Sequence, residues 1–119
     1  MTHFTSVHTV GIPVTDQDRA LEFYTKTLGF TLVADTPLPQ LGGRWIVVAA
    51  PSGASLALTP ATETGLDTGI RLGTPDAAAT HQHLTDNKVT VGDLLSWPGI
   101  PPMFTFQDPD NNTLYTVQD

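Results

Sequence analysis

The chain states one pattern twice, and that repetition limits its fold more than any other feature. Asp16 and Asp76 lie 60 residues apart in a chain of 119, and each stands between a strand pattern and a helix pattern. Ahead of Asp16, Val10, Ile12 and Val14 alternate with Gly11 and Pro13, the period of a half-buried strand. Behind it, Ala20, Leu21, Phe23, Tyr24 and Leu28 fall at helical spacing and make one apolar face. Thr15 or Asp16 caps that helix, and Asp16 also sets negative charge beside the positive end of its dipole. Gly29 stands where a left-handed C-terminal cap belongs. In the second half, Gly69–Gly73 reads as the strand and Ala77–Asp86 as the helix. Thr74-Pro75-Asp76 opens that helix, with proline near the first turn, where it is tolerated. A period of half the chain means two copies of one supersecondary unit.

The remaining segments complete each copy. Phe30–Ala34 is a strand candidate. Asp35–Gly43, with two prolines and two glycines, reads as a loop. Arg44–Ala50 is a strongly apolar strand, Pro51-Ser52-Gly53 a turn, and Ser55–Thr59 another strand. Residues 60–67 join the halves. Val89–Leu95 is expected to be extended, Trp97–Pro102 to be a loop and Met103–Gln107 to be a strand. Asp108–Asn112 is a tight turn whose asparagines tolerate the left-handed conformation of a hairpin tip, and Thr113–Val117 is the last strand. The expected class is α+β: two tandem βαβββ modules, about residues 5–60 and 67–119, in a single domain.

Composition restricts function by exclusion. No cysteine is present, so disulfides, thiolate metal sites and cysteine catalysis are ruled out. The net charge of −7, with only five Lys and Arg, argues against a nucleic-acid partner. No apolar run has membrane-spanning length and no signal-peptide pattern opens the chain, which makes the cytoplasm the default expectation. An acidic surface steers cationic small molecules toward itself. The serines at positions 6, 52, 55 and 96 lie in no nucleophile-elbow context, and the glycines match no phosphate-binding loop.

Val14–Asp16, Asp18-Arg19-Ala20, Phe23-Tyr24, Leu28-Gly29-Phe30, Phe104-Thr105-Phe106 and Asp108-Pro109-Asp110-Asn111-Asn112 together resemble the vicinal oxygen chelate superfamily. That superfamily includes glyoxalase I, extradiol dioxygenases, fosfomycin-resistance enzymes and bleomycin-binding proteins. Its usual turn is Asp-Pro-Asp-Gly-Asn, and Asn111 replaces the glycine here. The resemblance implies that each module curls its sheet into a half-barrel with the helix outside and a ligand cavity within. It also implies four metal positions. Two lie on the first strands, seven residues before each helix-start aspartate, at Thr9 and Gly69. The other two lie on the last strands, at Ala57 and Tyr115. Glycine and alanine have no donor, threonine is a poor one, and tyrosine would have to ionise. The expectation is therefore no metal and no cofactor. His8 is one residue from a ligand position, and strand alternation places it on the helix side with Val10 and Ile12. His81 and His83 are two apart on a helix and diverge.

The same resemblance sets the expected site: Thr9, Ala57, Gly69, Arg71 and Tyr115 on the cavity strands, with Trp45, Met103 and Phe104 on or beside them. Large aromatics such as Trp45 and Phe104 also serve as core. Trp97 belongs to a proline-rich loop at the cavity rim. Arg71 either faces a ligand or pairs with a carboxylate. The expected function is metal-independent binding of a small planar or cationic molecule, as in bleomycin-resistance-type sequestration, by a homodimer with no nucleic-acid or membrane partner. The alternatives are a glyoxalase-type lyase or dioxygenase with displaced ligands, and a structural dimer with a collapsed cavity.

Overall fold

A computed structural model describes residues 2–119. The chain divides into two compact units, with the boundary between Thr64 and Gly65. The first contains β1 (Thr9–Val14), α1 (Gln17–Glu22), β2 (Thr31–Leu38), β3 (Gly43–Ala49) and β4 (Ser55–Pro60). The second contains β5 (Asp67–Thr74), α2 (Ala77–Asp86), β6 (Leu95–Trp97), β7 (Ile100–Gln107) and β8 (Thr113–Gln118). The two sheets share one order, β1-β4-β3-β2 and β5-β8-β7-β6. In each, the first strand runs parallel to the last, and the other pairings are antiparallel. Both halves are thus strand, helix, strand, strand, strand, as the repeat predicts.

Alternation decides which face each sheet gives its helix. In the first unit Ile12 and Val14, Ile46 and Val48, and Leu56 and Leu58 are buried with Ala20 and Tyr24. Their neighbours Thr9, Gly11, Trp45, Ala49 and Thr59 fall on the other face, away from α1. In the second unit Phe104, Phe106 and Leu114 are buried with Ala77 and Leu84 of α2. Asp16 and Asp76 both cap, each accepting from the backbone N–H three residues on, at 3.0 Å. Pro75 therefore lies just outside its helix rather than in the first turn.

The first helix departs from the expected regular one. After Glu22 the chain opens into a π-helical turn over Phe23–Thr27, closed by Leu28 N–H to Phe23 C=O at 3.1 Å. The Thr25 hydroxyl donates to the Leu21 carbonyl at 2.7 Å, a contact that bends helices. The extra residue is visible in the caps. Gly29 takes the left-handed conformation thirteen residues after Asp16, whereas Lys88 takes it twelve after Asp76, with φ of 83° and 63°.

Two segments read as loops are strand. β2 runs on through Asp35 and Pro37 to Leu38, because it is an edge strand and a proline there faces no ladder partner on its outer side. Arg44 holds that edge, meeting both Asp35 oxygens at 3.0 and 3.1 Å and Asp18 at 2.7 Å. Trp97–Pro102 is the end of β6, a two-residue Pro98-Gly99 turn and the start of β7, with Trp97 paired to Ile100. By contrast, residues 89–94 form no strand and touch the sheet through one bridge, Val91 to Phe106. At the Asp108–Asn112 turn Asn111 does adopt φ 62°. Buried Asp108 accepts from the Asp110 and Asn112 N–H groups and from the Asn112 amide, which in turn accepts from the N–H groups of Gly65 and Leu66 at 3.0 Å.

Candidate functional site

Among the described residues, each unit carries a cleft on the sheet face opposite its own helix. The first has a volume of about 920 Å³, with Val33, Trp45, Val47 and Ala49 on its apolar side and Ser6, His8, Thr9 and Ser55 on its polar side. Trp45 is here because β3 points every second residue away from α1. It keeps 37% of its surface exposed. The polar side is a row of hydrogen bonds. His8 Nδ1 meets Thr9 Oγ1 at 2.5 Å, Thr9 Oγ1 meets Ser55 Oγ at 3.2 Å, and Ser55 Oγ donates to the His8 carbonyl at 3.1 Å. The parallel register of β1 and β4 sets Thr9 opposite Ser55 and so builds the row.

The second cleft, about 430 Å³, is lined by Arg71, Asp93, Leu95, Met103, Thr105, Tyr115 and Val117, with Phe104 at its floor. It is smaller in step with β6, which has three residues where β2 has eight. Tyr115 is the centre of its chemistry. Its hydroxyl lies 2.8 Å from both oxygens of Asp67 and donates its single proton to that carboxylate. The bond to Asp67 raises the phenol's pKa above its ordinary value, and partial burial and the negative charge of Asp67 add to this. Arg71 lies over the ring, 4.2 Å from its centroid, and donates to the Gly69 carbonyl at 2.7 Å. Among the described residues Arg71 thus pairs with a ring and a backbone carbonyl and not with a carboxylate.

The structure brings the expected residues together in two groups, with Thr9 and Trp45 in the first cleft and Arg71, Met103 and Tyr115 in the second. Gly69 adjoins the second group, since a Cβ built there would meet Arg71 Nη1 at 3.7 Å. Ala57 is 2% exposed, part of the sheet between Gly11 and Val47. The ring of Phe104 faces the helix, edge-on to His81 at 4.9 Å. Trp97, exposed on the β6–β7 hairpin, lines neither cleft.

Three further residues were placed differently or missed by sequence. His8 is exposed and lines the first cleft instead of facing the helix. The ladder begins at Thr9, so the alternation used to place His8 does not reach it. His81 is half-buried and bonded through Nε2 to the Gly92 carbonyl at 2.9 Å, a tie to residues 89–94 that its helical spacing gave no sign of, while His83 diverges to the exposed side. Asp67, the partner of Tyr115, gave no sequence signal. It is 48 residues away, and the β5–β8 register shifts between Asp67 and Arg71.

A family model described as the Glyoxalase/Bleomycin resistance protein/Dioxygenase superfamily matches residues 5–115. The chain belongs to that superfamily. Among solved structures, a glyoxalase/bleomycin resistance protein/dioxygenase superfamily member from Sphaerobacter thermophilus is 32% identical, with a TM-score of 0.90 over 99% of this chain and 100% of that one. TnmS3 from a Streptomyces species, described as an antibiotic binding protein, is 32% identical with a TM-score of 0.88 over 99% of this chain and 98% of its own. An uncharacterised protein of Shewanella frigidimarina is 37% identical over 60 residues, 49% of this chain and 44% of that protein. The chain spans less than half the length of the curated relatives it matches.

The superfamily's metal does not fit the side chains found at its positions. In the first unit Thr9 engages its hydroxyl with His8 and Ser55, and Ala57 offers no donor. In the second Gly69 offers none, and Tyr115 is held protonated by Asp67 when ligation would need its anion. Among the described residues no three His, Cys, Asp or Glu side chains gather as such a site requires. Nor is any helix among them long and apolar enough to cross a membrane.

Proposed function

We propose that this superfamily member binds a small planar or cationic organic molecule without a metal, as a sequestering protein. The observation that carries the reading is Trp45, a large ring left 37% exposed on the sheet face opposite α1, beside Val33, Val47 and Ala49. An apolar cleft with a few fixed polar groups suits an organic ligand, and an indole face suits a flat or cationic one. The net charge of −7 favours the approach of cations. The description of TnmS3 as an antibiotic binding protein supports the same reading. The working form under this proposal is a cytoplasmic homodimer, and the exposed Leu94, Leu95, Trp97 and Ile100 clustered at the β6–β7 hairpin offer it an apolar contact surface.

The test uses Trp97→Phe, so that Trp45 is the only indole. Flat polycyclic and cationic aromatic compounds are titrated in EDTA while Trp45 emission and unfolding temperature are followed. The expected result is saturable quenching by some of them together with a rise of the unfolding temperature. Loss of both effects in EDTA and their return with one divalent metal would move the protein to the lyase or dioxygenase reading. Light scattering at several concentrations checks the dimer, whose mass should be twice that of the 12.7 kDa chain.

A further inference from the structure

We propose that the first cleft selects a flat aromatic molecule with a hydrogen-bond donor on its edge, the ring lying on Trp45 and the donor received by His8 Nε2. The inference rests on the small-molecule reading and narrows its ligand class.

It follows from counting protons along the polar row. The His8 carbonyl can only accept, so the Ser55 hydroxyl gives it its one proton. At the 3.2 Å contact with Thr9, Ser55 is therefore the acceptor and Thr9 the donor. Thr9 has then used its own proton, so it must accept from His8 Nδ1. This is the one assignment that satisfies all three contacts together. The proton of the uncharged imidazole is on Nδ1, and its lone pair is on Nε2. Nε2 has no hydrogen-bond partner among the described residues, and the ring lines the same cleft as Trp45. The row is fixed by backbone as well, since Ser55 N–H donates to the same His8 carbonyl at 3.1 Å. A ligand edge carrying O–H or N–H completes Nε2, whereas an ether edge leaves it unmatched.

Two measurements test this on the full chain. The first is nitrogen-15 NMR of His8 at pH 8. Protonated Nδ1 and bare Nε2 are expected, and Ser55→Ala, which frees Thr9 to donate to Nδ1, should shift the ring toward the opposite tautomer. A protonated Nε2 in the unmodified protein overturns the inference. The second is calorimetric titration with 2-naphthol and with 2-methoxynaphthalene, which match in shape but not in donor. One hydrogen bond corresponds to about tenfold tighter binding of the naphthol. His8→Phe should abolish that difference, and His8→Gln, whose carbonyl accepts, should restore part of it. Each variant's unfolding temperature confirms that it is folded. Equal affinities in the unmodified protein, or a difference that survives His8→Phe, overturns the donor rule. If neither naphthalene binds but another flat compound does, the donor rule falls and the binding reading stands. If no flat compound binds, both fall.

Discussion

The hydroxyl of Tyr115 gives its proton to Asp67, and this single contact decides what the second cleft can do. A phenol so held is a poor anion, a poor metal ligand and a poor donor to anything else. Its folded-state pKa is raised, so the contact stabilises the fold fully below the ordinary tyrosine value of about 10 and is lost as pH rises through the raised value. Ultraviolet titration should find Tyr115 ionising later than a free tyrosine, and Asp67→Asn should move it back down. At the same end of that sheet, just before Thr113 pairs with Asp67, Asn112 carries a heavier structural duty. It is fully buried and ties Asp108 to the backbone of Gly65 and Leu66. Asn112→Ala is expected to lose about 2 kcal/mol or more in urea unfolding, because a buried carboxylate loses a donor and two backbone donors lose their acceptor. The sequence shows such residues unevenly. Trp45 was visible as a cleft candidate on a strong strand, with core as the other reading, and the fold leaves its ring 37% exposed. Asp67 was not visible, because its partner is fixed by a register that no local pattern encodes.

At the scale of elements, legibility followed the locality of the cause. The bounds of α2 were readable because an aspartate cap, ten helix-forming positions and an asparagine stop are all written in one segment. The π-helical turn was not, since it depends on whether a threonine hydroxyl takes a carbonyl four residues back. β2 was cut short because proline was read as a breaker, and only its place at the sheet edge makes proline acceptable. The attachment of α1 was equally hidden. The Gln17 amide accepts from Arg44 N–H at 2.9 Å and donates to the carbonyls of Arg44 and Leu58 at 2.6 and 2.8 Å. It joins the start of the helix to two strands at once. Gln17→Ala should cost about 1–3 kcal/mol, and hydrogen exchange should show the Arg44 amide losing protection.

For the molecule as a whole, duplication was legible and the division of labour between the copies was not. Both halves kept the topology, but the long β2–β3 pair and the short β6 leave them with clefts that differ about twofold in volume. The chemistry differs too: one cleft holds an indole beside a hydrogen-bonded row, the other a shielded phenol under a guanidinium. Neither arrangement offers a metal the ligands its superfamily uses. Unfolding temperatures in EDTA and in saturating Mn²⁺, Fe²⁺, Ni²⁺, Zn²⁺ or Mg²⁺ should therefore agree, whereas a metal at a hundred times its Kd would add about 2.7 kcal/mol.

The parallel pairing of each half's first strand with its last has a consequence during synthesis on the ribosome. β1 waits for β4, so the first sheet is finished once Pro60 has emerged. β5 waits for β8, so the second stays open until Gln118 is out, 58 residues later. At ordinary translation speeds that interval lasts roughly 3–12 s. For those seconds the nascent chain carries a finished first unit followed by an unfinished second one, and this is when a holding chaperone has most to gain from meeting it.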